Sequence, residues 1–186
     1  RLMENLPPPS DEDPVLWQLR RARLHVYADE TGQALALVAP LLAGKDTLSP
    51  AVAGRLMQLV FDLQTAGRHR EALTVLTAVV ARIGEPRLVR EAYYWIADSR
   101  SALGDHKDAA EYYLLSAAHP PGDVRDLWGH SARFRAAEAL GRAGLTADAR
   151  GVYQRLLGET RDARQRALIE RSVQQLWLME KPATTP

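Results

Sequence analysis

Five histidines, at positions 25, 69, 106, 119 and 130, are the side chains best suited to hold a metal or to move a proton near neutral pH. A zinc-binding helix presents two of them one turn apart, as in HExxH. No pair here has that spacing, so metal binding is not expected and neither a metal nor a cofactor is assigned. His69 and His106 each follow a glycine by two residues, and such equivalence is what a structural role produces. Acidic pairs occur at Asp11/Asp13, in a Pro-rich segment, and at Asp105/Asp108, at a helix start. General acid–base work needs burial that drives two pKa values apart, and neither pair has surroundings to supply it. GxxxxGK, GxGxxG and GxSxG are absent, so phosphate loops and serine elbows have no starting point. Gly141 to Gly144 has GxxG spacing, but at a helix end, where a turn accounts for it. With no cysteine, disulfides, thiolate metal sites and cysteine nucleophiles are excluded together. No catalytic residue is assigned, and the chain is not expected to be an enzyme.

Composition narrows the partner. Lys and Arg number 24 against 23 Asp and Glu, a net charge of +1, which gives no case for nucleic acid or an anionic membrane as ligand. The longest apolar run, residues 34–43, contains Pro40 and is shorter than the ~20 residues a bilayer requires. The chain starts at Arg1 rather than at Met, which reads as a piece cut from something longer. Absence of cysteine suits cytosol and periplasm equally.

The elements that position these side chains are helical. Ala and Leu dominate the apolar set, and helical rather than alternating spacing runs through the chain. Asp13-Pro14, Ser49-Pro50 and Glu85-Pro86 place proline where helices begin. Thr31, Asp105, Thr146 and Thr160 are candidate caps. Gly44, Gly67, Gly84, Gly104, Gly144 and Gly158 are candidate stops. Residues 1–13 and 181–186 read as a Pro-rich linker and a tail.

Three segments repeat a pattern: a glycine (Gly67, Gly104, Gly144), an acid four residues on (Glu71, Asp108, Asp148), then alanine (Ala72, Ala109, Ala149). A fourth unit lacks the glycine but keeps Ala34. Four residues beyond each alanine stands a bulky residue: Val38, Leu76, Tyr113 and Tyr153. Glycine lets one helix end and the chain turn, alanine lets the next helix approach closely, and the bulky residue fills the space against the neighbouring unit. Such hairpins bury their apolar stripes only by stacking. The expected fold is all-α, with about four stacked antiparallel hairpins over residues 14–158 and a capping helix over 159–180. On that last helix Ala163, Ala167, Leu168, Ser172, Leu176 and Met179 share the face expected to pack, with Arg164, Arg166 and Arg171 pointing away. Trp17, Trp95, Trp128 and Trp177 read as packing residues.

These residues resemble the tetratricopeptide repeat (TPR) family. Residues 90–123 fit its 34-residue register without a gap, with Tyr93, Ile96 and Ala97 in the first helix, Gly104 at the turn, and Ala109 and Tyr113 in the second helix. Ser116 replaces the usual late alanine, and Pro121 takes the terminal proline place. The likeness implies a solenoid whose first helices line a concave groove. Carried over by register, the groove holds Met57, Phe61 and Gln64, then Glu91, Tyr94, Asp98 and Ser101, then Ser131, Phe134 and Glu138. Both phenylalanines of the chain fall on it, and they could equally be core residues.

The resemblance implies a non-catalytic scaffold that holds a peptide or partner helix in the groove, its partner a protein. The alternative is a structural spacer or self-association segment of a larger envelope or secretion protein. The repeat alanines at 34, 72, 109 and 149 step by 38, 37 and 40 residues, longer than the family's period. Repeats of such length look like those of bacterial cell-envelope accessory proteins, which tips the expected compartment toward the periplasm.

Overall fold

The computed structural model describes residue 10, residues 13–119 and residues 126–180. The remainder of the Pro-rich segment, Pro121 and the tail at 181–186 lie outside the described residues, as does the side chain of Met179. Nine α-helices form among the described residues, and they divide between two compact units, with the boundary in the chain between Ser99 and Arg100.

The first unit holds α1 (Pro14–Tyr27), α2 (Thr31–Ala43), α3 (Pro50–Thr65), α4 (His69–Val79), a 3-10 turn (Val80–Arg82) and most of α5 (Pro86–Ala102). Proline opens α1, α3 and α5, where a missing N–H costs nothing because the first turn leaves it unpaired anyway. Asp13 Oδ1 accepts from the Val15 N–H at 2.7 Å, and Ser49 Oγ accepts from the Val52 N–H at 3.3 Å. α1 packs on α2 and α3, and α4 packs on α2 and α3, the arrangement of two hairpins laid side by side. Leu19, Leu56, Leu59, Leu63 and Leu76 fill the space between them, each burial contributing about 1.5–3 kcal/mol. The connection from α2 to α3 is held by Arg82, which donates from Nε to the Asp46 carbonyl and from Nη1 to the Leu41 carbonyl, both at 2.8 Å.

The second unit contains the last turn of α5, then α6 (His106–Ala118), α7 (Leu127–Arg142), α8 (Thr146–Glu159) and α9 (Ala163–Glu180). Its core gathers Ala137, Ala149, Val152, Tyr153, Leu156, Ile169 and Leu176. Trp128 is half-buried, and its indole N–H donates to Ser116 Oγ at 3.2 Å, which gives the serine at this repeat position a use. α9 packs on α7 and α8 as a C-terminal cap, through a face different from the one expected. Ile169, Val173 and Leu176 turn inward, while Ala163, Ala167 and Leu168 are exposed. Ser172 and Leu176 stay on the inner side. Two apolar stripes overlap on this helix, and the choice is made by α7, where Gly141 leaves room for Leu176. A Cβ at Gly141 would stand 2.6 Å from Leu176 Cδ2. Trp177 is also exposed rather than packed.

The repeat anchors are buried as a set. Ala34, Ala72, Ala109 and Ala149 are each 0% exposed, and Val38, Leu76, Tyr113 and Tyr153 are buried behind them. Gly67, Gly104 and Gly144 have φ of 71°, 90° and 78°, the left-handed conformation that a side chain resists. In the remaining hairpin, α1 and α2, Asp29 takes that conformation, with φ of 59°. All four turns close the same way, with the following N–H donating to the carbonyl five residues back: Glu30 to His25, Arg68 to Leu63, Asp105 to Arg100 and Leu145 to Leu140. Three expected caps are displaced. Thr31 and Thr146 begin their helices rather than cap them. Thr160 ends α8, its hydroxyl donating to the Leu156 carbonyl at 2.6 Å, and Asp162 Oδ1 instead accepts the Gln165 N–H at the start of α9.

Candidate functional site

A cavity of about 340 Å³ lies within the first unit between α3 and α5. Met57 and Phe61 come from α3, Leu88, Glu91 and Trp95 from α5, and Arg23 and Gln58 form its polar side. Helical spacing aligns each contribution: Met57 and Phe61 are four residues apart, while Leu88, Glu91 and Trp95 fall on one face at steps of three and four.

Behind the polar side sits Asp62, a buried carboxylate. Arg23 Nε donates to Asp62 Oδ2 at 2.5 Å, and the Tyr27 hydroxyl donates to Asp62 Oδ1 at 2.8 Å. The remaining Arg23 donors reach Gln58 Oε1 at 2.8 Å and Tyr27 Oη at 3.2 Å. The hydrogen bond to Asp62 holds the Arg23 guanidinium above its ordinary pKa. The charge of Arg23 is therefore balanced inside the protein, by the buried Asp62 carboxylate.

Glu91 is in the opposite condition. Its carboxylate is half-buried, and burial alone pushes its pKa above the ordinary glutamate value. No ion pair or hydrogen bond to another described residue offsets that burial.

Phe61 is 54% exposed, and its ring meets Trp95 edge-on at 6.1 Å. Tyr94 also meets Trp95 edge-on, at 5.3 Å. Such contacts fix ring orientation as well as burying area. Gln64 donates from Nε2 to the Trp95 carbonyl at 2.8 Å and to Ser99 Oγ at 2.7 Å, so it ties α3 to α5 beneath the aromatic group.

The residues expected on a groove separate between the units. Met57, Phe61, Gln64, Glu91, Tyr94 and Asp98 belong to the first, with Met57 buried at the cavity and Asp98 half-buried. Ser101, Ser131, Phe134 and Glu138 belong to the second. There Phe134 packs on the core, its ring 5.5 Å from Tyr153, and Glu138 accepts from Arg135 Nη1 at 3.1 Å. Trp95, read from the sequence as a packing residue, lines the cavity, and Arg23 and Leu88 join it. The signal available for Leu88 and Trp95 was their spacing around Glu91. Nothing in the sequence linked Arg23, two helices earlier in the chain than Phe61, to the same cavity.

His69 and His106 each open their helix, and each keeps a buried Nδ1 without a hydrogen bond. Among the described residues no group of three or more His, Asp or Glu could hold a metal ion. No described helix is long and apolar enough to cross a membrane.

No family model matches the sequence, and no curated protein matches it. Two solved structures are similar in fold. One is a crystal structure of the nearly identical TPR-like repeats of a Podosopora anserina protein described as a kinesin light chain. It shares 16% identity and a TM-score of 0.63, with 87% of this chain and 84% of that one covered. The other is a substituted form of the same repeats, at 15% identity and the same TM-score of 0.63. The fold of the chain is thus all-α and TPR-like, built of antiparallel helical hairpins with a C-terminal capping helix.

Proposed function

We propose that the chain is a non-catalytic protein-interaction module that holds a peptide or partner helix against α3 and α5. The observation that carries this reading is Phe61, a large apolar ring left 54% exposed at the mouth of the cavity beside Trp95. A phenyl group in water forfeits the free energy its burial would give, and a rigid aromatic beside a pocket is the usual anchor of an interface. TPR-like neighbours suggest protein partners in general, and the exposed aromatic beside the cavity supports binding there.

The test is photo-crosslinking in cells that make the natural protein, with a benzophenone side chain at position 61 and, separately, at exposed Thr74 on α4. Adducts to another polypeptide from position 61 and not from position 74 are expected. No adduct at 61, or equal adducts at both, would remove the proposal.

Self-association is the second reading, favoured by α9, where Leu168, Trp177 and Leu178 are 52%, 53% and 65% exposed. Sedimentation of the purified chain decides it. A concentration-dependent dimer weakened by Leu178→Gln supports it, and a monomer at every concentration removes it.

A further inference from the structure

The cavity between α3 and α5 is aromatic and apolar on most of its wall, yet it carries two opposite charges. They are not equivalent. Arg23 spends its charge on buried Asp62 and commits its donors to Asp62, Gln58 and Tyr27. Tyr27 completes the arrangement by donating to the other oxygen of Asp62. The Arg23 charge on that side of the cavity is balanced within the protein by Asp62. Glu91 has no such partner, although it stands half-buried in the wall. Arg87, one helical turn earlier on the same helix, makes no ion pair with it. The unbalanced charge of the cavity is therefore one carboxylate, and its burial is a cost that a ligand cation would offset.

The walls fit a cation as well as the charge does. Phe61 and Trp95 stand edge to face at 6.1 Å beside Glu91, so an organic cation reaching the carboxylate passes along aromatic surface. Ring faces carry negative electrostatic potential and attract ammonium and guanidinium groups. Met57 and Leu88 supply apolar wall for an alkyl stem.

We propose that this cavity takes a basic side chain, lysine or arginine, of the bound peptide, with its cationic head on the Glu91 carboxylate and its stem along Phe61 and Trp95. The inference rests on the reading of the chain as a peptide-binding module and adds the charge of the residue recognised.

The test uses the full chain and three pools of acetylated, fluorescein-labelled octapeptides. Their central position is fixed as Lys/Arg, as Asp/Glu or as Ser/Leu, and the other positions are randomised. Fluorescence polarisation gives the apparent affinity of each pool for the wild type, for Glu91→Gln, for Glu91→Lys and for Phe61→Ala. Circular dichroism confirms that each variant is folded. The basic pool is expected to bind the wild type about tenfold more tightly than the other two pools. Glu91→Gln should erase that preference, and Glu91→Lys should transfer it to the acidic pool. Equal binding of all three pools, lost in Phe61→Ala, would overturn the basic-residue assignment while leaving the peptide-binding reading intact. Preference of the wild type for the acidic pool would do the same. Binding of no pool at all would overturn both.

Discussion

Arg68 donates from Nη2 to Asp29 Oδ1 at 2.7 Å, joining the turn between α1 and α2 to the turn between α3 and α4. The contact links equivalent places in successive repeats. Asp29 stands five residues before Ala34, as Gly67 stands five before Ala72, and both have positive φ. Arg68 follows its left-handed glycine directly and donates its backbone N–H to the Leu63 carbonyl at 2.8 Å. Aspartate is among the few side chains that tolerate this conformation, so the first hairpin turns without glycine and gains a side chain that reaches the next turn.

The two residues at this place should respond in opposite ways to substitution. Asp29→Gly, made in an Arg68→Ala background, relieves the backbone and should stabilise the protein by about 0.5–1 kcal/mol. With Arg68 present the gain should shrink at low salt and recover at high salt, because the contact is exposed and screened. Gly67→Ala should cost about 1 kcal/mol. Urea-unfolding midpoints at constant m-value measure all three.

The anchor alanines should not accept larger side chains. Ala149 is fully buried on the Tyr153 side of the second-unit core, so Ala149→Leu should destabilise by about 1–3 kcal/mol through overpacking. Ala147→Leu, at an exposed site on the same helix, should stay within about 0.5 kcal/mol. Thermal unfolding of the pair separates close packing from helix propensity.

Docking of α9 depends on Leu176 entering the space above Gly141. Leu176→Ala should cost about 2–5 kcal/mol if the protein unfolds as one, or should release α9 alone if it does not. Hydrogen exchange distinguishes the two, since released α9 amides lose protection while those of α3 keep theirs.

Two groups whose pKa values burial shifts should shape the pH dependence of the second unit. Burial, with help from Arg133 and against Glu159, pushes His130 below the ordinary histidine value of 6.5. The neutral ring is the form the fold prefers, so the unfolded chain takes up the proton first as pH falls. Stability is complete above 6.5 and is lost as pH drops from there toward the folded pKa. His130 Nε2 lies 2.7 Å from Thr160 Oγ1, whose proton goes to Leu156, so the ring donates. His130→Gln, which can keep that donor without titrating, should flatten the acid limb. At the other end burial pushes the Tyr153 hydroxyl from 10 up to about 12, despite a hydrogen bond with Ser172. Stability present below 10 should be lost as pH rises toward about 12, and Tyr153→Phe should remove that loss. Denaturant titrations across pH measure both limbs.

What could be read from the sequence was whatever repeats. The alanine steps and the bulky residues four places later announced the hairpins, because close approach and filling are local demands met by the same residue types in every unit. Asp29 carries no such mark, because it satisfies the turn by a different chemistry from glycine. On α9 the packed stripe runs through Ile169 and not through Leu168, one residue from the expected face, since both stripes are apolar and only the surface opposite, with Gly141 in it, decides between them. The cavity was half legible. Phe61 and Glu91 followed from the repeat register, whereas the neutralisation of Arg23 by Asp62 depends on two helices far apart in sequence and leaves no local mark. Phe134 obeyed the same register as Phe61, yet Tyr153 and the helices around it give its ring a place in the core.

The most direct measurement of the binding surface is amide and aromatic chemical-shift mapping of the full chain during titration with the Lys/Arg-fixed peptide pool. Resonances of Phe61, Glu91 and Trp95 should move together and saturate, while those of buried Ala34 and Ala72 stay in place. Peptide binding that shifts only α9, around Leu168, Trp177 and Leu178, and leaves Phe61, Glu91 and Trp95 unmoved would contradict it.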